Sequence, residues 1–216
     1  MQKTITAITK QKSNDNRVNI YLDDEFSFGL YAINAVRLKV GQIITQTAIN
    51  GLLFEDQLEA AFQKSLRFIA YKPRTNFDVR KKLIESGYPE EIVEIILQRL
   101  EEKGYINDHQ FANNWSENKS LNKPRSKKLI RLELKQKSID EEIIEEVVNR
   151  MDSDDELAIR AAEKYYRKLS NLEEITFRRR LTGFLLRRGF SYSVIKPIVD
   201  QFWEKTCQNT NENLNE

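Results

Sequence analysis

Apolar positions recur along this chain at an interval of 51 residues. Gly87 and Gly189 are two intervals apart, and Ser138 lies midway between them. The Lys-Pro-Arg-Thr loop at Lys72 returns one interval later as Lys-Pro-Arg-Ser at Lys123. A repeat of this length holds several helices, so it predicts a row of modules with an extended binding surface. The apolar positions that share the interval are Val79, Ile130 and Leu181; Leu83, Leu134 and Leu185; Tyr88, Ile139 and Phe190; Ile92, Ile143 and Val194; Ile96, Val147 and Ile198; and Leu100, Met151 and Phe202.

Each interval contains the start and stop signals of three helices. In the first interval, Thr75 is a predicted N-cap, Gly87 ends the helix that follows, and Pro89 opens the next one. In the second interval, Ser126 and Asp140 are the predicted caps. We therefore predict an all-α repeat of three tandem three-helix modules.

The N-terminal segment has a different periodicity. Apolar and polar residues alternate at 18–22 and at 26–30, with three acidic residues between them, which predicts a β-hairpin. Residues 4–9 are a candidate third strand. The predicted organisation is a β-rich extension at 1–54, helical repeats at 55–104, 105–151 and 152–206, and a disordered, Asn/Glu-rich tail at 207–216.

The composition of the chain excludes several classes of protein and of functional site. The chain of 216 residues is 40% apolar and 31% charged with a net charge of +2, and it has no apolar run that approaches a membrane span. His109 and Cys207 are the single residues of their kinds, which excludes a His- or Cys-rich metal site. No phosphate-binding loop, dinucleotide-binding turn or metalloprotease helix occurs. We expect a cytoplasmic, monomeric protein that is not an enzyme and has no cofactor.

Local charge is much stronger than net charge. Residues 123–137 carry seven basic side chains against the single acid Glu133, whereas 140–146 carry five acids and no base. Lys127, Arg131 and Lys135 are spaced to form one helical stripe. The stripe has two interpretations. It is either a face that binds the phosphates of a nucleic acid or an acidic partner, or a solvated surface paired with the acidic helix of a neighbouring module. The candidate partner- or DNA-binding residues are Lys72, Arg74, Lys123, Arg125, Lys127, Lys128, Arg131, Lys135, Arg178, Arg179, Arg187 and Arg188.

Several stretches have a specific order and spacing. The stretch 72–88 has the sequence KPRTNFDVRKKLIESGY, 104–112 has GYINDHQFA, 137–139 has KSI and 186–190 has LRRGF. They resemble successive repeats of the RecX family, the bacterial regulators of the RecA recombinase, over about residues 55–205. The departures from that family's pattern are chemically close, namely Thr75 for serine, Asp78 for glutamate, Asn107 for aspartate and Ser138 for glycine.

The resemblance implies a fold of three three-helix modules and a function in homologous recombination, DNA repair and the SOS response. It implies a protein that binds the RecA filament on single-stranded DNA, inhibits ATP hydrolysis and strand exchange, and can also bind duplex DNA. The residues leave two other functions open, a free-standing DNA-binding protein and a helical-repeat adaptor for another protein.

Overall fold

The computed structural model describes residues 2–12, 14–169 and 171–212. The chain forms two compact units, Met1–Ile106 and Asn107–Glu216. The first unit opens with a four-stranded antiparallel sheet in the order β3-β2-β1-β4. Its strands are β1 (Gln2–Gln11), β2 (Asn14–Leu22), β3 (Glu25–Tyr31) and β4 (Ile43–Thr45), and a short helix α1 (Ala32–Ala35) follows β3.

The predicted hairpin is confirmed as the pair β2–β3. Ile20 is paired with Phe28 in the antiparallel register. Asp23 and Asp24 form its turn with φ values of 52° and 69°, as a tight hairpin requires. The apolar side of the sheet is buried, with Ile20 and Leu30 fully inaccessible to solvent.

Helix α2 (Gln46–Tyr71) begins before the predicted start of the first repeat. The hydroxyl of Thr45 caps it by accepting a hydrogen bond from the backbone N–H of Ala48. The N-terminal part of α2 packs Ile49 and Leu52 against the sheet. The boundary predicted at residue 54 therefore falls inside a helix, because packing on the sheet overrides the weak helix propensity of a segment containing Gly51.

Asp56 joins α2 to the sheet with a buried polar contact. Its carboxylate accepts a hydrogen bond from the guanidinium of Arg17 at 2.8 Å and another from the backbone N–H of Tyr31. The side chain of Asp56 is 12% exposed, so the ion pair is shielded from water and fixes the position of α2 on β2 and β3.

The predicted three-helix modules are present in both units. The first module continues from α2 with α3 (Asn76–Ile84) and α4 (Glu90–Glu102). The second unit contains the other two modules, formed by α5 (Asp108–Asn122), α6 (Lys127–Lys135), α7 (Glu141–Arg150), α8 (Asp154–Tyr166), α9 (Glu174–Leu186) and α10 (Tyr192–Glu212).

The 51-residue interval correctly predicts the cores and the caps. The sets Val79, Ile130, Leu181 and Leu83, Leu134, Leu185 are completely buried. Four of the other positions are only partly buried but pack against their cores, namely Tyr88, Ile143, Met151 and Val194. Thr75, Ser126 and Asp140 each accept a hydrogen bond from a first-turn amide, as predicted.

Helix α10 continues to Glu212, so residues 207–212 of the segment predicted to be disordered lie in a helix. The hydroxyl of the buried Thr206 donates a hydrogen bond to the carbonyl of Phe202 at 2.8 Å, so the helix is well anchored just before this segment. Extending an existing helix requires no new nucleation, even without apolar periodicity. Residues 213–216 lie outside the described part of the chain.

Ser138 occupies the turn between α6 and α7 with a φ of 53°, whereas its equivalents Gly87 and Gly189 have φ values of 84° and 85°. A left-handed conformation costs a non-glycine residue about 1–2 kcal/mol. We expect Ser138→Gly to raise the free energy of unfolding by about 0.5–1 kcal/mol, since the glycine's larger unfolded-state entropy offsets part of the relief. Urea denaturation measures the change.

Ser86→Gly is the matched control for this substitution. Ser86 lies in the corresponding turn of the first module, but its φ is not positive, and its hydroxyl bonds the carbonyl of Lys82 at 2.8 Å. We expect Ser86→Gly to destabilise the protein. If both variants changed the free energy of unfolding in the same direction, φ would not govern the effect at Ser138.

Candidate partner-binding surface

The start of α6 is held against the corner between α9 and α10 by backbone and side-chain hydrogen bonds. The backbone N–H of Ser126 donates to the carbonyl of Arg188 at 3.0 Å. The guanidinium of Arg188 donates to the carbonyl of Pro124, also at 3.0 Å. The backbone N–H of Lys127 donates to the carboxylate of Asp154, at the start of α8, at 2.8 Å. We call this contact of 124–129 with 186–190 and with Asp154 the repeat junction.

Gly189 permits the close approach at the repeat junction. A Cβ at this position would lie 2.5 Å from Oγ of Ser126 and 2.8 Å from Cβ of Leu129. No Cβ would meet any atom within 4 Å at the equivalent Gly87. Gly189 is therefore needed for both its positive φ and its lack of a side chain, whereas Gly87 is needed for φ alone.

Three predicted site residues near α6 form ion pairs within their own module. Arg131 binds Glu145 of α7 through Nε at 2.6 Å and through Nη2 at 2.9 Å. Lys135 forms an ion pair with Glu141 at 2.9 Å, and Arg125 forms one with Glu133. Hydrogen bonding to Arg131 lowers the pKa of Glu145. Arg131 and Lys135 of the stripe are thus paired with an acidic helix, as the second interpretation of the stripe expected. The acids belong to the same module, however, and not to a neighbouring one.

Three more predicted residues have structural contacts. Arg178 forms ion pairs with Glu174 and Asp200. The guanidinium of Arg188 lies 4.4 Å from the ring centroid of Phe184, and that of Arg74 lies 3.8 Å from the ring centroid of Phe68. Burial lowers the pKa of Arg188, and the nearby positive charge of Arg125 lowers it further.

The other six predicted residues have no side-chain ion pair or ring contact with the part of the chain that the structure describes. We call them the unpaired basic set: Lys72, Lys123, Lys127, Lys128, Arg179 and Arg187. Lys72 belongs to the first unit, and the other five belong to the second. Within the second unit, Lys123, Lys127 and Lys128 are grouped around the start of α6, which the repeat junction holds in place.

Lys119 adds to this positive region, although it was not among the predicted residues. Its ammonium lies 4.4 Å from the ring centroid of Trp115. Burial lowers the pKa of Lys119, and so does the positive charge of Arg125 and Lys123. The sequence signal that could have predicted this contact is the i, i+4 spacing of Trp115 and Lys119. Because α5 ends beside α6, positive potential accumulates at the start of α6.

The described residues contain no group of three or more acidic, His or Cys side chains that could hold a metal ion. Within the same part of the chain, no helix has both the length and the apolar character needed to cross a membrane. Nε2 of His109 donates a hydrogen bond to the carboxylate of Glu146 at 3.0 Å, and Nδ1 of His109 accepts one from the side-chain amide of Asn113 at 2.9 Å.

Three consecutive three-helix modules place the chain among helical-repeat proteins, which present neighbouring modules to a partner as one extended surface. Family models match the chain along nearly its whole length. They are the Regulatory protein RecX N-terminal domain at residues 3–45 and the first, second and third RecX three-helix domains at 61–100, 107–148 and 152–199.

Curated relatives extend the similarity over whole chains. Regulatory protein RecX of Limosilactobacillus reuteri is 32% identical over 91% of this chain and 76% of its own length. Regulatory protein RecX of Clostridium perfringens strain 13 is 30% identical over 90% of this chain and 94% of its own. A crystal structure of regulatory protein RecX is 31% identical and has a TM-score of 0.70, covering 92% of this chain and 99% of the other. The chain belongs to the RecX family.

Proposed function

We propose that this protein binds along the RecA–single-stranded DNA filament and inhibits ATP hydrolysis and strand exchange in recombinational repair. Membership of a family whose relatives are named regulatory proteins is the observation that carries this proposal. The regulated protein, RecA, follows from the resemblance of the sequence to that family. The physical properties of the surface support it independently.

The modular architecture suits a filament partner. A filament presents the same subunit repeatedly, so successive modules can each contact it and their contacts combine without a deep pocket. Binding across adjacent subunits biases the filament between its states and obstructs the groove through which a second DNA enters. Inhibition then has a steric and an allosteric component, and neither requires a catalytic residue.

The unpaired basic set is suited to docking on a negatively charged assembly. Exposed positive charges accelerate encounter and fix register. Lys127 and Lys128 lie in the first turn of α6, which is fixed by three hydrogen bonds of the repeat junction, and Lys123 lies just before it, at the end of α5. We propose that this region contacts either the filament or its DNA, and that the protein acts as a cytoplasmic monomer without a cofactor or enzymatic activity.

The test measures RecA ATP hydrolysis and strand exchange on single-stranded DNA with stoichiometric amounts of this protein. We expect both activities to fall. If both stay unchanged while the protein remains folded by circular dichroism, the proposed inhibition is wrong.

A free-standing DNA-binding protein is the second candidate function, favoured by the same cluster of unpaired lysines. Co-sedimentation separates the possibilities at physiological salt. Pelleting with RecA filaments, well above binding to naked single-stranded or duplex DNA, supports filament regulation. Equal binding to DNA without RecA supports the second candidate, and binding to neither favours an adaptor for another protein.

A further inference from the structure

A groove of about 400 Å³ lies beside the repeat junction, between α6 and the corner that joins α9 to α10. Leu132 and Leu186 stand on its two sides and are 52% and 51% exposed. The less exposed Leu129 and Phe190 lie deeper in the groove. Two half-exposed leucines that face one shared depression form a continuous apolar surface, in contrast to scattered single residues.

The rim of this groove is positively charged. Lys128, Arg131 and Lys135 line it, and none of the lining residues is acidic. Arg131 and Lys135 are bonded to Glu145 and Glu141, which lie on α7 and do not line the groove. Lys128 has no ion pair within the described part of the chain. A complementary occupant therefore combines bulky apolar side chains with carboxylates beside them.

This chemistry favours a polypeptide over a nucleic acid as the occupant. Single-stranded nucleic acid is held by bases stacked on aromatic rings, with a basic track for the phosphates. The exposed walls here are aliphatic, and the one aromatic ring in the lining, that of Phe190, belongs to a residue only 2% exposed. Aliphatic walls inside a basic rim match a protein segment that inserts leucine-like side chains and places acidic ones on the rim.

We infer that this groove docks an acidic segment of a protein partner, which inserts bulky apolar side chains between Leu132 and Leu186. That the partner is the recombinase filament rests on the proposed function, whereas the chemistry of the segment rests on the groove alone. The repeat junction forms part of this site, because Gly189 lines the groove and its lack of a side chain lets the two sides approach closely.

The first experiment does not depend on the recombinase. A short synthetic peptide with two leucines flanked by glutamates is titrated into the full-length protein, and backbone amide shifts are followed by NMR. We expect saturable shifts around Leu132 and Leu186, and none with a peptide in which serine replaces leucine. Absence of shifts at the groove, or shifts there with an oligothymidylate but not with the peptide, overturns the inference.

The second experiment uses the filament and paired variants. Leu132→Asp/Leu186→Asp places charges at half-exposed positions, and Ile175→Asp is the matched control at an apolar position of the same unit that is 80% exposed and outside the groove. We expect the double variant to lose about tenfold or more in filament affinity, as loss of apolar anchors does, while the control keeps it. Thermal denaturation of both variants verifies folding.

The outcomes separate the two proposals. If the wild-type protein pellets with filaments and the folded double variant pellets equally well, the groove inference is wrong and the proposed function stands. If the wild-type protein does not pellet with filaments, the proposed function fails, and the peptide titration alone decides whether the groove docks an acidic segment. A photocrosslinker placed at position 132 that couples to DNA instead of to protein also overturns the inference.

Discussion

Gly189→Ala is expected to lower the free energy of unfolding of the second unit by about 2–4 kcal/mol. About 1 kcal/mol comes from the positive φ of 85°, which alanine adopts poorly. The rest comes from overpacking, typically about 1–3 kcal/mol, because the new Cβ would lie 2.5 Å from Oγ of Ser126 and 2.8 Å from Cβ of Leu129. The nearest atom, Oγ of Ser126, caps α6, and Cβ of Leu129 is bonded directly to the backbone, so neither atom moves freely.

Gly87→Ala is the matched control, with the same backbone conformation and open space around the added methyl group. We expect it to cost only about 1 kcal/mol. Chemical denaturation followed by far-ultraviolet circular dichroism measures both variants. Tryptophan fluorescence reports the second unit alone, since Trp115 and Trp203 both lie there. Equal costs for the two variants would show that the close approach at the repeat junction contributes nothing.

Removing three unpaired lysines is expected to cause the largest loss of filament binding. Lys123→Ala/Lys127→Ala/Lys128→Ala leaves no carboxylate without its partner, because none of these side chains forms an ion pair with the described residues. We expect affinity for the filament to fall about 10–100-fold near physiological salt, and the slope of log affinity against log salt to drop by about two to three. Co-sedimentation across a salt series measures both quantities.

The control removes the same charge from dispersed, exposed positions. Lys39→Ala/Lys103→Ala/Lys196→Ala changes net charge equally but leaves the start of α6 intact. An equal loss of affinity in both triple variants would mean that only net charge matters. Replacing Arg131 and Lys135 of the stripe by glutamate would be a poorer test, because the new glutamates would face Glu145 and Glu141 and would perturb the module itself.

Local signals in the sequence predicted the modules well, because caps and core spacing act within one helix or one turn. Thr75, Ser126 and Asp140 cap the helices that they were expected to cap. Val79, Ile130 and Leu181 are buried as their shared interval predicts. Even the departure at Ser138 was informative, since the serine has the positive φ of the glycine that it replaces.

The pairing of charges could not be predicted to the same extent. The sequence shows a basic segment followed by an acidic one, but not which side chains meet. The turn at Ser138 folds α7 back beside α6, and this brings Glu145 to Arg131 within one module. The groove likewise depends on Leu132 meeting Leu186, which only the docking of two modules brings together.

The uninterrupted helix α2 makes the β-rich extension and the first module one cooperative folding unit. Its N-terminal part completes the core of the sheet, and its C-terminal part supplies Ala61 and Phe62 to the core of the first module. Fraying from either side would break the same helix, so loss of structure in the extension propagates into the module. The extension thus supports the first module, and an N-terminal truncation that reaches Phe62 would remove part of both cores.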